Sequence, residues 1–436
     1  MKPGSYVEIK TKTGEILKGI VMNTNDPKIL SLKLDSGYNI GLDKKNILYM
    51  NELRKNQEIK PKQQEEIKIN KNLKTIAILH TGGTVASKVS YATGAVFPSF
   101  SPTELINMFP ELKTIANIKS RLIGNMFSED IRFVHYNIIA KEIEKEIKAG
   151  VDGIIITHGT DTLAFTSLAL SFTLENLNKP VILVGAQRSS DRPSTDAAMN
   201  LICAAQFITR SNFNEVGICM HGKSGDDFCY ILPACKTKKL HTSRRDAFKA
   251  VNSNPIAKIN KEGKIEFFQE YHKKEHKDKL KLKLFNDKLK LGILKAHPNL
   301  SKEEVKMFSK FNGLIIEGTG LGHLPINKID KNTKENELIL KELNKLAKKI
   351  PVVMTSQCIF GRVNMNVYDT GRKLQDSGVL GNYSDMTLEA AFIKLAWLLS
   401  NYKKNQIKDL INNNFRGEIS KRVTYEENLF RLFKVF

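Results

Sequence analysis

The chain has 436 residues, 41% of them hydrophobic, and its 68 Lys and Arg against 46 Asp and Glu give a net charge of +22. This length exceeds what one ordinary hydrophobic core serves, so we expect two or three globular domains. The sequence has neither eighteen consecutive apolar residues nor an apolar signal-peptide segment after Met1, so we predict a cytoplasmic protein with no contact to a membrane.

The cysteines and the positive charge each narrow the choice of function. The five cysteines are an odd number without C-x-x-C spacing, which predicts reduced core residues and neither a metal site nor a disulfide framework. The lysine surplus is typical either of a protein that attracts a polyanion such as RNA or of a chain that follows the base composition of its coding DNA. Only the first alternative predicts one positive surface patch.

The first fifty residues alternate short β-type runs with turn signals. The runs are residues 6–10, 18–22, 30–34 and 38–42. They predict a small antiparallel β-barrel domain over residues 1–60. Residues 61–72 carry mainly Lys, Gln, Glu and Asn with a single proline, which predicts a linker.

From residue 73 onward, apolar strand-like runs alternate with segments of helical period. The first runs are residues 75–79, 153–157, 181–185 and 216–220. Such alternation predicts an α/β fold with a parallel sheet that is covered on both faces. We predict one α/β domain over residues 73–270, a Lys-rich crossing segment over 271–289, and a smaller α/β domain over 290–436 that is closed by a helix from about 385 to 400.

Polar segments follow the apolar runs at the place where open α/β sheets bind ligands, beyond the carboxyl ends of the strands. They are residues 80–87 with T-G-G-T, residues 157–162 with H-G-T-D-T, and the loop 185–196. Each motif also has a structural interpretation, since T-G-G-T is common in tight turns and H-G-T-D-T can cap a helix. Their occurrence at successive strand ends of one sheet favours a shared site.

These motifs, together with Ser128-Glu129-Asp130 and Lys239-Leu240-His241-Thr242, resemble the asparaginase family in order and spacing over residues 73–436. The resemblance implies an asparaginase-like two-domain α/β fold with parallel sheets. Within that family, the N-terminal barrel resembles the D-type subunits of archaeal glutamyl-tRNA(Gln) amidotransferases, because plain asparaginases lack this domain. Residues 185–196, 241–248, 385–386 and 389–391 carry the same likeness.

The resemblance also implies catalytic roles. Thr84 matches the nucleophile that attacks the side-chain amide, and Tyr91 matches the tyrosine of a loop that closes over it. Thr160, Asp161 and Lys239 match a second catalytic group. The chemistry agrees with this assignment, because an alcohol nucleophile needs a base and a lysine can act as one where burial lowers its pKa.

The implied substrate contacts are those of an amino acid with a side-chain amide. Ser128 is expected to bind the α-carboxylate and Glu129 the α-ammonium, which Asp161 can also accept. Backbone N–H groups of the turns at Gly83 and Gly159 are expected to bind the oxyanion.

Two points of the assignment stay open. Lys239 belongs to a lysine-rich run, so Lys238 is an alternative in the adjacent register. The family also pairs an acidic residue with the tyrosine that Tyr91 matches, and the sequence does not locate this residue.

Residues 217–224 match the phosphate-loop pattern G-x-x-x-x-G-K-S, but Ile218-Cys219-Met220 continue an apolar strand where a loop is required. We interpret the match as chance. The turn at 318–323, Gly318-Thr319-Gly320-Leu321-Gly322-His323, likewise has its third glycine one position too early for a dinucleotide site.

Three functions fit these observations. The first is the ammonia-generating subunit of a tRNA-dependent amidotransferase, which hydrolyses glutamine or asparagine for a tRNA-binding kinase/transamidase partner of the E type that amidates Glu-tRNA(Gln). The second is a free-standing L-asparaginase, and the third is a catalytically silent RNA-binding scaffold. The resemblance implies a homodimer. The sequence contains no ligand cluster, so we expect no cofactor in this chain, and ATP and Mg²⁺, if needed, in the partner.

Overall fold

The structure, a computed structural model, describes residues 4–22, 24, 26–34, 39–54, 70–83, 87–89, 96–98, 109–188, 195–268 and 278–422. The chain begins with an antiparallel sheet whose strands lie in the order β4-β3-β2-β1-β5. They are β1 (Tyr6–Thr11), β2 (Ile16–Met22), β3 (Ile29–Leu34), β4 (Asn39–Asp43) and β5 (Ile47–Arg54). Alternate residues of β1 are buried, as the period of a strand requires.

The core of this sheet consists of five buried aliphatic residues: Val7, Ile9, Val21, Leu30 and Leu32. The predicted antiparallel N-terminal domain is confirmed, and the expected barrel takes the form of a five-stranded sheet. Residues 61–69, which form most of the predicted linker, lie outside the described residues.

The second sheet has eight strands in the order β18-β17-β14-β13-β12-β10-β6-β9. In chain order, the strands of this part of the chain are β6 (Thr75–Gly82), β7 (Ser87–Val89), β8 (Val96–Pro98), β9 (Asn117–Met126), β10 (Gly153–Thr157), β11 (Leu174–Glu175), β12 (Val181–Val184), β13 (Val216–His221), β14 (Cys229–Pro233), β15 (Thr237–Lys239), β16 (Phe248–Ala250), β17 (Ala257–Ile259), β18 (Ile265–Phe267) and β19 (Lys281–Leu282). Its helices are α1 (Leu112–Ile115), α2 (Phe133–Lys148), α3 (Leu163–Thr173) and α4 (Ala197–Arg210).

The part of this sheet from β9 to β13 is parallel, and its strands β6, β10, β12 and β13 are buried on both faces. All five residues of β10 are buried. Ile155 packs into the core on one face, whereas Ile154 and Ile156 pack into the core on the other. The prediction of a parallel sheet covered on both sides is therefore confirmed for these strands.

Beyond β13 the sheet continues with antiparallel strands, which the sequence did not predict. β13 pairs antiparallel with β14, β14 with β17, and β17 with β18. The connection from β13 to β14 is too short to hold a helical crossover, so the chain reverses direction. β17 and β18 have three residues each, which is too few to give a clear strand period.

The C-terminal part contains a three-stranded parallel sheet, in the order β20-β21-β22. Its strands are β20 (Leu291–Lys295), β21 (Gly313–Gly318) and β22 (Val352–Ser356), and its helices are α5 (Lys302–Lys306), α6 (Lys334–Lys349), α7 (Asp369–Asp376), α8 (Leu388–Asn401) and α9 (Ile407–Leu410). Helix α8 is the predicted closing helix. Its Trp397 is fully buried and lies 5.2 Å from Phe172 of α3, measured between ring centroids, so α8 joins the two α/β domains.

The predicted crossing segment is described from residue 278 onward, while residues 271–277 lie outside the described residues. Within its described part, β19 pairs with β11. In the described ranges, no helix has the length and apolarity needed to cross a membrane.

Candidate active site

The site lies where the neighbouring strands β6 and β10 end. These strands are parallel partners, so the turns that follow them meet at one edge of the sheet. Gly83 has φ +77°, and a Cβ atom there would lie 2.4 Å from the backbone nitrogen of Gly159. Only glycine permits this approach of two turns.

Buried hydrogen bonds hold the first turn against its neighbours. Thr81 Oγ1 donates to the carbonyl oxygen of Thr157 over 2.9 Å. His80 lies 2.8 Å from Thr157 Oγ1 through Nδ1 and 2.7 Å from Ser120 Oγ through Nε2. Burial lowers the pKa of His80 to about 4, so this imidazole is neutral near pH 7 and ties β6 to the strands on both sides.

A second buried histidine fixes the turn after β10. His158 Nδ1 donates to the carbonyl oxygen of Gly159 over 2.7 Å, and its Nε2 lies 2.8 Å from Thr166 Oγ1 in α3. Burial lowers the pKa of His158 to about 4. The neutral ring therefore donates at Nδ1 and accepts from Thr166 at Nε2, which orients the peptide that leads to Thr160.

Thr160, Asp161 and Lys239 form one hydrogen-bonded group. Lys239 Nζ donates to Thr160 Oγ1 over 2.9 Å and to Asp161 Oδ1 over 2.7 Å. The Lys239 side chain is 14% exposed and the Asp161 side chain 64% exposed. The amine thus lies below the surface, on a buried hydroxyl, and meets a carboxylate at the rim.

The structure distinguishes the two lysine registers that the sequence left open. Lys239 ends β15, which pairs with β16, and it is this residue that contacts Thr160. Lys238 instead forms an ion pair with Glu389 of α8. Adjacent residues of a strand point to opposite faces, so the two side chains cannot share one role.

Ser128 lies beside the second turn. Thr162 Oγ1 donates to the carbonyl oxygen of Ser128 over 2.5 Å. A Cβ atom on Gly159 would lie 2.7 Å from Ser128 Cβ, so glycine is again required. Ser128 is buried, whereas Glu129 is exposed, and both belong to a 3-10 turn that continues to Asp130.

Thr84 and Tyr91 lie outside the described residues. Their predicted roles, and the acidic partner of Tyr91, stay predictions. Gly83, which is described and contacts Gly159, directly precedes Thr84 in the sequence.

A third turn, after β12, borders the site. The sequence points to this loop but predicts no site residue within it. A Cβ atom on Gly185 would lie 2.9 Å from Thr160 Cγ2. The buried Asp196 accepts hydrogen bonds from the backbone nitrogens of Gln187 and Arg188, at 3.0 and 3.1 Å. The sequence signal that could have drawn attention to this turn is the acid directly before α4. A carboxylate that becomes buried there needs hydrogen-bond donors from the nearby backbone.

The phosphate-loop match at 217–224 is not a phosphate loop. Residues 216–221 form β13, which pairs with β12 on one side and β14 on the other. Its backbone N–H groups are therefore used by the sheet. Among the described residues there is no group of three or more His, Cys, Asp or Glu arranged to hold a metal ion.

The chain resembles known proteins in the order of its domains. Residues 1–51 match the GatD N-terminal domain, residues 75–273 match the N-terminal asparaginase domain, and residues 290–411 match the glutaminase/asparaginase C-terminal domain. The D-type subunit of the glutamyl-tRNA(Gln) amidotransferase of Pyrococcus furiosus is 44% identical, over 96% of this chain and 94% of its own. That of Methanococcus maripaludis is 41% identical, over 98% of this chain and 100% of its own.

The chain belongs to the family of D-type glutamyl-tRNA(Gln) amidotransferase subunits. Solved structures give this family member an asparaginase fold. The thermostable L-asparaginase from Thermococcus kodakarensis has a TM-score of 0.69 and 28% identity, and it covers 80% of this chain and 100% of its own. The L-asparaginase I from Vibrio cholerae has a TM-score of 0.68 and 27% identity, and it covers 80% and 99%.

The arrangement in this amidotransferase chain suits attack on an amide. A lysine amine contacts the buried hydroxyl of Thr160, so the two groups can pass a proton to or from a nucleophile. A carboxylate orients that amine. The two glycine turns lie in contact at the same place, and backbone amides of such turns can stabilise an oxyanion.

Proposed function

We propose that this chain is the ammonia-generating subunit of a tRNA-dependent amidotransferase, and that it hydrolyses the side-chain amide of glutamine or asparagine. The observation that carries the proposal is the position of Lys239 Nζ, within hydrogen-bonding distance of both Thr160 Oγ1 and Asp161 Oδ1. Thr160 directly follows Gly159, the residue that Gly83 contacts. The names and domain order of the relatives support the same function.

In the proposed reaction, the Thr84 oxygen attacks the amide carbon, and the proton of its hydroxyl group passes to the catalytic base, Lys239. The tetrahedral oxyanion is bound by backbone N–H groups of the Gly83 and Gly159 turns. Collapse breaks the carbon–nitrogen bond, and the leaving nitrogen takes up the proton as ammonia. The acyl group stays on Thr84 as an ester.

Water then completes the turnover. Lys239, through Thr160, takes a proton from the water that adds to the ester carbon, and the proton is returned to the Thr84 oxygen as the carbon–oxygen bond breaks, which releases the acid and Thr84. Asp161 keeps the amine of Lys239 in place, since the two groups are 2.7 Å apart.

The substrate contacts follow from the same arrangement. Ser128 binds the α-carboxylate from its buried position beside Gly159, while Glu129 and Asp161 accept the α-ammonium at the exposed rim. The role proposed for Tyr91 is the one that the family resemblance implies. Two acidic groups at the rim suit an ammonium and disfavour a substrate without one.

The product ammonia is consumed by a partner in this proposal. The relatives' name identifies them as one subunit of an amidotransferase for glutamyl-tRNA(Gln). We propose a tRNA-binding kinase/transamidase partner of the E type, which holds ATP and Mg²⁺ and uses the ammonia to convert Glu-tRNA(Gln) to Gln-tRNA(Gln). A homodimer of this chain within a cytoplasmic complex is part of the proposal.

The test is ammonia release from glutamine and from asparagine, measured with the chain alone, with the partner, and with partner and charged tRNA. Stimulation by both additions is the expected result. Full activity on asparagine by the chain alone would identify a free-standing asparaginase, the alternative that the asparaginase-like fold allows. Absence of ammonia under every condition would contradict both enzymatic functions.

A further inference from the structure

Three lysines of one short segment, Lys236, Lys238 and Lys239, have different partners. Lys239 reaches the catalytic group, as described above. Lys238 pairs with Glu389, and Lys236 Nζ lies 2.8 Å from Asp385 Oδ2. Glu389 and Asp385 belong to the C-terminal domain, so the segment that carries the catalytic amine is bound to two domains at once.

Strand geometry explains the division. Side chains of a strand alternate between its faces. Lys238 of β15 points to the C-terminal domain, as does Lys236 directly before the strand, whereas Lys239 points to the opposite face of β15 and to Thr160. The same segment therefore anchors itself with one face and presents the amine with the other.

The anchor on the C-terminal side is a rigid one. Asp385 and Glu389 flank the start of helix α8, where Thr387 Oγ1 accepts a hydrogen bond from the backbone nitrogen of Ala390. A negative side chain in the first turn of a helix is also favoured by the helix dipole. Glu389 is thus held on a capped, buried helix that packs against α3.

The Lys236–Asp385 pair is buried, with side-chain exposures of 3% and 0%. Burial lowers the pKa of Lys236, and the charge of Asp385 opposes this effect. A buried ion pair of this kind contributes little net stability, but loss of one partner leaves an uncompensated buried charge. Such a pair fixes the position of the segment more than it stabilises the fold.

A third contact holds the second strand of the hairpin formed by β15 and β16 at the end where Lys236 lies. Asn252 Nδ2 donates to the carbonyl oxygens of Gly361 and Asp385, both over 3.0 Å, and Asn252 Oδ1 accepts from the backbone nitrogen of Gly361 over 2.8 Å. The backbone nitrogen of Val251 donates to the carbonyl oxygen of Lys236. Both chain segments at the open end of the hairpin, residue 236 on one side and residue 252 on the other, are therefore joined to the C-terminal domain.

We propose that Glu389 and Asp385 are positioning residues of the C-terminal domain, which act through Lys238 and Lys236 to hold Lys239 against Thr160 and Asp161. The inference rests on the proposed function, since it concerns the efficiency of the same site. A lysine side chain loses rotamer entropy when it is held in one position, so a fixed backbone matters. A catalytic group must be held to within about 0.5 Å, and a displacement of about 1 Å costs on the order of 100-fold in rate.

The test uses the full chain in its complex and the substitution Glu389→Gln, which removes the charge but keeps the size. We expect kcat for ammonia release to fall by roughly 10- to 100-fold while KM changes little, since Glu389 does not touch the substrate groups. The charge-exchanged double variant Lys238→Glu with Glu389→Lys should recover most of the lost kcat. A merely structural role predicts no such recovery of kcat at equal folded fraction.

Glu175→Gln is the matched control. The Lys283–Glu175 pair has a distance of 2.8 Å and side-chain exposures of 22% and 26%, close to the 26% and 13% of the Lys238–Glu389 pair. Both residues lie away from the catalytic group, so kcat should stay unchanged. Equal losses of kcat in Glu389→Gln and Glu175→Gln would overturn the inference, as would wild-type kcat in Glu389→Gln.

Two further variants keep the outcome unambiguous. If Glu389→Gln does not fold by circular dichroism, Lys238→Gln breaks the same pair from the other side and carries the same expectations. Lys239→Ala tests the proposed function separately. Activity in Lys239→Ala would contradict the function, whereas an inactive Lys239→Ala beside a fully active Glu389→Gln would contradict only the positioning role.

Discussion

Two sheet edges of this molecule are built alike and used differently. In the C-terminal domain, a glycine-rich turn also follows a parallel strand, β21, and hydroxyl groups also lie at the strand ends. There, Thr355 Oγ1 donates to the carbonyl oxygen of Ile316 over 2.9 Å, and Ser356 Oγ donates to that of Gly320 over 2.5 Å. The turn closes on itself through hydrogen bonds between Thr319 and His323.

At the edge formed by β6 and β10, the corresponding groups meet side chains from elsewhere in the chain. Thr160 Oγ1 accepts from Lys239, which is 79 residues away. The glycine of one turn touches the glycine of the other. Glycine-rich turns and hydroxyls at a strand end are therefore common structural features, and they become a candidate site where separate turns and a charged group converge.

The largest expected effect is a loss of ammonia release on substitution at the β6–β10 edge, which substitution at the C-terminal edge should not cause. Thr84→Val or Lys239→Ala should lower ammonia release by about 1000-fold or more, because each removes a group that takes part in bond making. Thr160→Val should have an effect of the same order, since it removes the hydroxyl on which Lys239 acts. Steady-state kinetics with glutamine and asparagine measure these losses.

Ser356→Ala is the control at the other edge, and near wild-type kcat is expected. Circular dichroism should find all four variants folded, because each substitution removes little core volume. Turnover close to that of wild type in Thr84→Val or Lys239→Ala would show that the residue has another role.

The second prediction concerns the glycine contact. In Gly83→Ala the new Cβ atom would lie 2.4 Å from Gly159 nitrogen at φ +77°, so one turn must move. We expect a fall in kcat on the order of 100-fold, together with a loss of a few kcal/mol in stability. Gly320→Ala, at φ +51° with no atom within 4 Å, should cost only about 1 kcal/mol and leave kcat unchanged. Equal kinetic effects would mean that the turn contact at Gly83 is not part of the site.

The sequence predicted the parts of the site that depend on local pattern. Apolar runs followed by polar turns placed Gly83, Gly159 and Thr160 at one sheet edge, and the structure brings these turns together. Such reasoning uses the order of the strands along the chain and the rule that ligands bind beyond their carboxyl ends. Both can be applied from short stretches of sequence.

The partner of Thr160 could not be predicted in this way. A contact across 79 residues leaves no periodic signal, so Lys239 entered only through resemblance to a family. The adjacent register of Lys238 stayed open because the phase of a three-residue strand is set by its tertiary partners. Here Glu389 and Thr160 set that phase from opposite sides.

The third prediction uses the two buried histidines of the active edge. The pKa values of His80 and His158 are lowered from 6.5 to about 4 in the folded protein, so the unfolded chain binds more protons between these values. Their contribution to stability is complete above pH 6.5 and is lost as pH falls toward 4, by about 3 kcal/mol for each imidazole. Urea unfolding followed by the fluorescence of Trp397, the single tryptophan, measures this change between pH 7 and pH 4.

His158→Asn should reduce the pH dependence by about the share of one imidazole, because asparagine can donate to Gly159 but does not titrate. At the C-terminal edge, His323 is only partly buried and burial lowers its pKa less. His323→Asn should therefore change the pH dependence less than His158→Asn does. The reverse order would contradict the assignment of both imidazoles as neutral.

The smallest effect compares two buried threonines at equivalent strand ends. Thr355→Val removes one hydroxyl hydrogen bond to the carbonyl oxygen of Ile316 and should cost about 1 kcal/mol of unfolding free energy, with no change in kcat. Thr157→Val removes the partner of His80 Nδ1 and leaves that buried nitrogen unpaired, which costs about 1–3 kcal/mol. Because His80 precedes the turn at Gly83, Thr157→Val should also lower kcat. If Thr355→Val lowered kcat as much as Thr157→Val, the C-terminal edge would be coupled to catalysis, and its hydroxyls would have more than a structural role.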